Sequence, residues 1–197
     1  MRKALKQVML CLMMVVFVFL GTLLADRQKL REELIRIHVV ANSDTAEDQD
    51  IKFRIRDAVM ESIRSDLEKL SDVSEAKRYL RENLPRIQQT AMMALEKLGC
   101  KDTVTVFLGQ EAFTAKANSL FALPAGIYES LRISIGSGQG ENWWTVIFPG
   151  DYGTEEDTRA EMVFGSEQLK DRNSGGYEIR FYLLDMLGRL ENIFFGG

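Results

Sequence analysis

The chain has two cysteines in 197 residues, and one of them, Cys11, lies inside an apolar N-terminal run. Cys100 is then alone in the remainder, so no internal disulfide can form there. The fold must be held by burial, even in a compartment that permits disulfides. A single histidine and the lack of any CxxC pair exclude the common zinc patterns. The spacing of a D-x-D-x-D calcium loop is missing as well, so no metal and no cofactor are expected. There is no internal repeat, and no low-complexity block beyond the apolar start. Basic charge is also in deficit: 25 Lys and Arg stand against 29 Asp and Glu. Arg2, Lys3 and Lys6 precede the apolar run and every acid follows it, which leaves the rest of the chain at −7. An acidic domain of this kind is a poor candidate for nucleic acid or an anionic lipid surface.

What is present begins with that run. Gln7 to Ala25 is uncharged, Val8 to Leu20 is unbroken apolar sequence, and basic residues lead into it. This is the pattern of an export signal or a membrane anchor. The stretch from Val8 to Ala25 spans roughly 27 Å as a helix, slightly short of a ~30 Å hydrocarbon core. Ala25 suits the last position before a cleavage, but Leu23 is large where an A-x-A pattern wants a small residue. Residues 1–25 are therefore read as a signal peptide or N-terminal membrane anchor, and 26–197 as one exported domain of ordinary size.

The most tightly specified segment follows. Ile35, Ile37, Val39 and Ala41 fall on one face of a strand at period two, with Arg36, His38 and Asn42 on the other, as a half-buried strand requires. Asn42 and Ser43 break it. Asp44 is placed to cap the next helix, with Glu47 three residues on as in a capping box. From Asp48 to Leu70 an apolar stripe of Ile51, Ile55, Val59, Ile63 and Leu67 recurs at three and four, with Lys52 and Arg56 on the polar side. Ser71 or Asp72 caps a second helix, Asn83-Leu84-Pro85 interrupts it, and a third runs to Leu98 with Gly99 as its stop. Strands come later. Thr103–Leu108 alternates and Gly109-Gln110 is read as a turn toward a partner near Phe113–Lys116. Leu131–Ile135 and Trp143–Phe148 read as a long hairpin around the glycine-rich loop 136–142, ended by Pro149. The stretches 150–157 and 170–176 are polar, glycine-containing loops, and Tyr177–Leu190 is a final helix. The expected class is α+β: a single domain with an antiparallel or mixed sheet packed against helices, behind an apolar export or anchor helix.

Several side chains invite a chemical reading. His38 near Ser43, Asp44 and Asp48 is the only arrangement resembling a hydrolytic triad, although a lone histidine is more often structural. Gly136, Gly138 and Gly140 resemble a phosphate-cradling loop only loosely, because a strand rather than a helix follows them. Trp143 and Trp144 point to opposite faces of a strand, one toward the core and the other outward, where tryptophan often carries interface energy.

Taken together, Val40-Ala41-Asn42-Ser43-Asp44 with Asp48-Gln49, Lys52 and Arg56-Asp57-Ala58-Val59, then Gly126-Ile127-Tyr128, Leu131-Arg132-Ile133, Gly136 through Trp144 and Val146-Ile147-Phe148-Pro149, resemble the stage II sporulation protein R family. The order and spacing fit across most of the part after the leader, and an N-terminal export segment belongs to the same pattern. The resemblance implies a signalling protein rather than an enzyme. Members are exported from the forespore into the space between the septal membranes. There they trigger a membrane-embedded aspartic protease of the mother cell, which processes the sigma-E precursor. Two departures stand out. The family pattern often has a cysteine after the tryptophan pair and another shortly after the proline, whereas Thr145 and the unrelated stretch from Gly150 stand here. No thiol or disulfide role transfers to those positions. By motif position alone, the residues expected to touch the partner are Asn42, Ser43, Asp44, Asn142, Trp143 and Trp144. The alternative is a cell-envelope hydrolase built on His38 and the Asn42-Ser43-Asp44 loop.

Overall fold

A computed structural model describes residues 2–114, 116–117, 122–148 and 175–195. The expected loops at 150–157 and 170–174 lie outside them. Helix α1 (Arg2–Glu33) carries the apolar run straight into the domain, so the boundary drawn at residue 25 falls inside one continuous helix. Its segment Lys3–Thr22 has a mean hydropathy of 2.2 and none of it is buried. By length and composition it can cross a membrane.

Strand β1 (Ile35–Val40) follows, then α2 (Ala46–Leu67), α3 (Val73–Lys97), β2 (Val104–Phe113), the short pair β3 (Lys116–Ala117) and β4 (Ala122–Leu123), β5 (Gly126–Ile135), β6 (Asn142–Phe148) and α4 (Gly175–Phe195). The larger sheet is mixed, ordered β2-β5-β1-β6. The α+β class is as expected. The strand pairing is not. β5 and β6 are no hairpin: β1 lies between them, parallel to β5 and antiparallel to β6. The six-residue glycine loop, 136–141, is long enough to step over one strand, and β1 carries apolar side chains on its α2 face with aromatic partners on the other. Nor does β2 turn at Gly109, which pairs with Ser130 inside a continuous ten-residue strand. The Phe107 ring folds over that glycine and occupies the space a side chain would need.

Helices α2 and α3 cover one face. Ile51, Ile55, Val59, Ile63, Leu80, Ile87, Ala91 and Leu95 pack onto Ile35, Ile37, Val39, Leu131, Ile133 and Ile147. Two helices were expected where α3 is one. Pro85 sits within it. A proline removes one ladder hydrogen bond and crowds the preceding turn, yet Leu80, Ile87, Ala91 and Leu95 continue a single buried stripe across it. Asn83 Nδ2 donates to the Tyr79 carbonyl in the turn before the proline (2.8 Å). Asp72, one of the two expected caps, accepts from Ser74 N (2.5 Å).

The other face of β1 is also covered. Leu34, Phe113, Leu123, Tyr128, Trp144 and Val146 form a second cluster. α4 closes over it: Asp185 Oδ1 accepts from Ala125 N (3.2 Å), Asn192 Nδ2 donates to the Phe113 carbonyl (2.9 Å), and Gly188 lies against the Ala125 backbone where any Cβ would collide.

Candidate functional site

β1 is the hub of two polar constructions. At its C-terminal end the Asn42-Ser43-Asp44 loop meets the glycine loop from the distant β5–β6 connection. Asn42 Oδ1 accepts from the Ser137 backbone N–H (2.9 Å), and Ser137 Oγ donates to the Asn42 carbonyl (2.8 Å). Gly140 N–H donates to the Ala41 carbonyl (2.9 Å), and Glu141 N–H to Asp44 Oδ1 (2.5 Å). The glycines are required here by contact. Gly136 has φ +55° and its Cβ would strike the Asn42 amide, while a Cβ on Gly140 would strike the Ser43 carbonyl.

Asp44 is thus engaged by the opposite loop and does not cap α2. Thr45 does, accepting from Asp48 N–H (3.2 Å). Asp48 in turn accepts from Ser43 Oγ (2.5 Å) and Asn42 Nδ2 (3.1 Å). Its carboxylate at the first turn complements the helix dipole and fixes the loop at once. Lys52, expected on a solvated face, is buried. Its ammonium donates to the Glu141 carbonyl (3.1 Å) and to Gln49 Oε1 (2.5 Å). Burial lowers its pKa, with Glu141 acting in the other direction. Beside this network Arg56 stacks on Trp143 (4.6 Å to the ring centroid) and on the exposed Phe53 (4.8 Å).

The tryptophans do point to opposite faces. Trp144 is buried in the second cluster, but Trp143 is half-buried against the main core rather than fully outward. Asn142 is exposed and pairs with Val40 at the end of β1. The two loops therefore bring Asn42, Ser43, Asp44, Asn142 and Trp143 to one end of the sheet, and Trp144 is turned to the opposite face.

The second construction was not anticipated. Arg36, read as solvent-facing, is fully buried. Its guanidinium carbon lies 3.7 Å from the Phe113 ring centroid, 3.5 Å from Trp144 and 4.8 Å from Tyr128. Among the described residues none of its three nitrogens has a hydrogen-bond partner. Burial pushes its pKa down to about 9, with Tyr128 and Glu111 acting the other way, so it stays charged at neutral pH. Aromatic faces attract such a cation, most strongly where water is excluded. One signal was legible: an arginine inside an otherwise apolar strand. Its partners sit more than seventy residues away and no local spacing reveals them.

Two residues along β1, His38 Nδ1 lies 3.2 Å from Glu111 Oε1, which also accepts from Arg132 (2.9 Å). Burial raises the Glu111 pKa, but His38 first of all, with Ser130 and Arg132 beside it, outweighs that and holds the carboxyl below its ordinary value. Ser43 is bonded to Asp48 and His38 to Glu111, so the triad considered from the sequence is not assembled. Among the described residues no group of three or more His, Cys, Asp or Glu side chains is placed to hold a metal ion.

An α+β domain behind an apolar N-terminal helix, with two distant loops locked into one surface, is the class of protein that the fold and the site define. The chain belongs to the stage II sporulation protein R family, whose sequence model matches residues 31–151. A curated relative, "Stage II sporulation protein R" of Bacillus subtilis (strain 168), is 30% identical over 183 residues, covering 81% of this chain and 82% of that one. No solved structure matches. The matched region contains both loops and the whole larger sheet.

Proposed function

We propose that this protein is a signalling ligand exported from the forespore, acting on a membrane-embedded aspartic protease of the mother cell so that the sigma-E precursor is processed. It works as a non-enzyme. The observation that carries this reading is membership of the sporulation family together with the joining of the two family motifs by direct hydrogen bonds at one end of the sheet. Asn42, Ser43, Asp44 and Asn142 form the rigid rim of the docking surface. Trp143, clamped by Arg56 and flanked by Phe53, supplies its aromatic anchor, since Trp and Arg are enriched where binding energy concentrates. Trp144 contributes from below by its stacking on Arg36.

The test is co-expression of this chain with the candidate protease and the sigma-E precursor in a non-sporulating host. Precursor cleavage is expected, and it should fall at least tenfold with Trp143→Ala, read on a chain shown to be folded at the assay temperature, since the ring also packs on the main core. An uncleaved precursor beside a chain shown to be exported overturns the reading. His38→Ala separates it from a hydrolase: the signalling role predicts retained cleavage, with at most a loss of stability.

A further inference from the structure

The C-terminal helix carries more apolar surface than its docking needs. At 100° per residue, Leu184, Asp185, Gly188 and Asn192 occupy one arc of α4 of about 100°, and these are the residues that meet the sheet and the Pro124–Gly126 turn. Met186, Leu190, Ile193 and Phe194 occupy the opposite arc, again about 100° wide. They are 51%, 45%, 75% and 73% exposed, and Phe195 just beyond is 77% exposed. This amphipathic pattern is inverted from that of a surface helix, which should turn charge outward.

The position of this face says what covers it. Arg31 Nη1 of α1 donates to Glu191 Oε1 of α4 (2.8 Å), in a bond shielded on both sides. Arg31 lies nine residues beyond Thr22, the end of the apolar segment, which is about 14 Å along a helix. The headgroup layer takes up roughly 5–8 Å of that distance. The last turn of α4 is therefore tied to α1 at the height of a bilayer surface. We propose that the outer face of α4, from Met186 to Phe194, rests on the lipid bilayer that α1 enters, as an interfacial helix giving the domain a second membrane contact. An apolar face with few charges suits such burial, and it does so without the basic patch that anionic lipid would demand. The inference rests on the membrane reading of α1.

The full-length chain, with Cys11→Ser and Cys100→Ser, is reconstituted into zwitterionic phosphatidylethanolamine–phosphatidylcholine liposomes. An environment-sensitive fluorophore is placed on Phe194→Cys or, as a control on the far side of the domain, on Met92→Cys. Position 194 should emit at shorter wavelength, be quenched several-fold more strongly by lipids spin-labelled near the headgroup, and resist aqueous iodide. Position 92 should show none of these. Adding Leu190→Ser and Ile193→Ser should return position 194 to iodide access with an unchanged melting curve. Equal iodide access at 194 and 92 in a chain that floats with the liposomes overturns the contact and leaves the anchor standing. A chain that does not float overturns both. Protection that grows with the number of chains per vesicle, without lipid quenching, assigns the face to a second copy and overturns the proposal.

Discussion

Arg36 is the residue whose environment departs most from its chemistry. A cation packed among rings gains cation–π attraction, while every lost water costs it. Apolar replacements of buried charges are often neutral or stabilising when their volume fits. Arg36→Met should therefore stay within ~1.5 kcal/mol of the parent in urea unfolding, as volume-conserving swaps do. Arg36→Ala opens a cavity between Phe113 and Trp144 and should cost about 2–5 kcal/mol. If Met is as damaging as Ala, the charge itself is required. Glu111 adds a pH dependence. Its pKa is depressed on folding, so its contribution is complete above the ordinary value of 4.5 and is lost as pH falls through the lower folded value. Glu111→Gln should flatten the decline of melting temperature below pH 4.5. At the loop junction, Gly136→Ala forces a side chain into a positive φ and against Asn42. A loss of about 1–3 kcal/mol is expected, with a matching fall in any activity that needs the joined loops.

At the level of elements, helices were far more legible than strand partners. The stripe Ile51–Leu67 is local, and so are the caps, although Thr45 replaces Asp44 because the acid has a stronger use across the loop. Strand pairing is settled by residues that no window sees together. Trp143–Phe148 looks like the partner of Leu131–Ile135 until β1, eighty-six or more residues upstream, claims the place between them. The same cause hid the Arg36 cage, whereas the two loops that meet through Asn42, Asp44, Ser137 and Glu141 stand out by their motifs alone, and Trp144, named with them, lies on the opposite face. Pro85 shows packing overriding propensity. An interior proline costs a helix ~3 kcal/mol relative to alanine. Pro85→Ala should accordingly stabilise the protein by about 1–3 kcal/mol, seen as a higher midpoint in guanidinium with an unchanged slope. No gain means that the neighbouring Asn83 bond already offsets the loss.

For the whole molecule, the apolar helix and the domain are one continuous piece: α1 runs without a break into β1, and α4 is bonded back to it. Deleting residues 1–25 should abolish precursor cleavage in the co-expression assay if delivery across a membrane is needed, while leaving the unfolding midpoint of the purified remainder close to that of the parent. The placement of β1 carries a further consequence, concerning time. One of the sheet's two inner strands, β1, is synthesised before any other strand of the sheet, and its two neighbours end at residues 135 and 148. At roughly 5–20 residues per second, β1 waits on the order of 5–20 seconds before either flank of the sheet can close. Until then the chain stays open, and an open chain is the form that an export channel can thread.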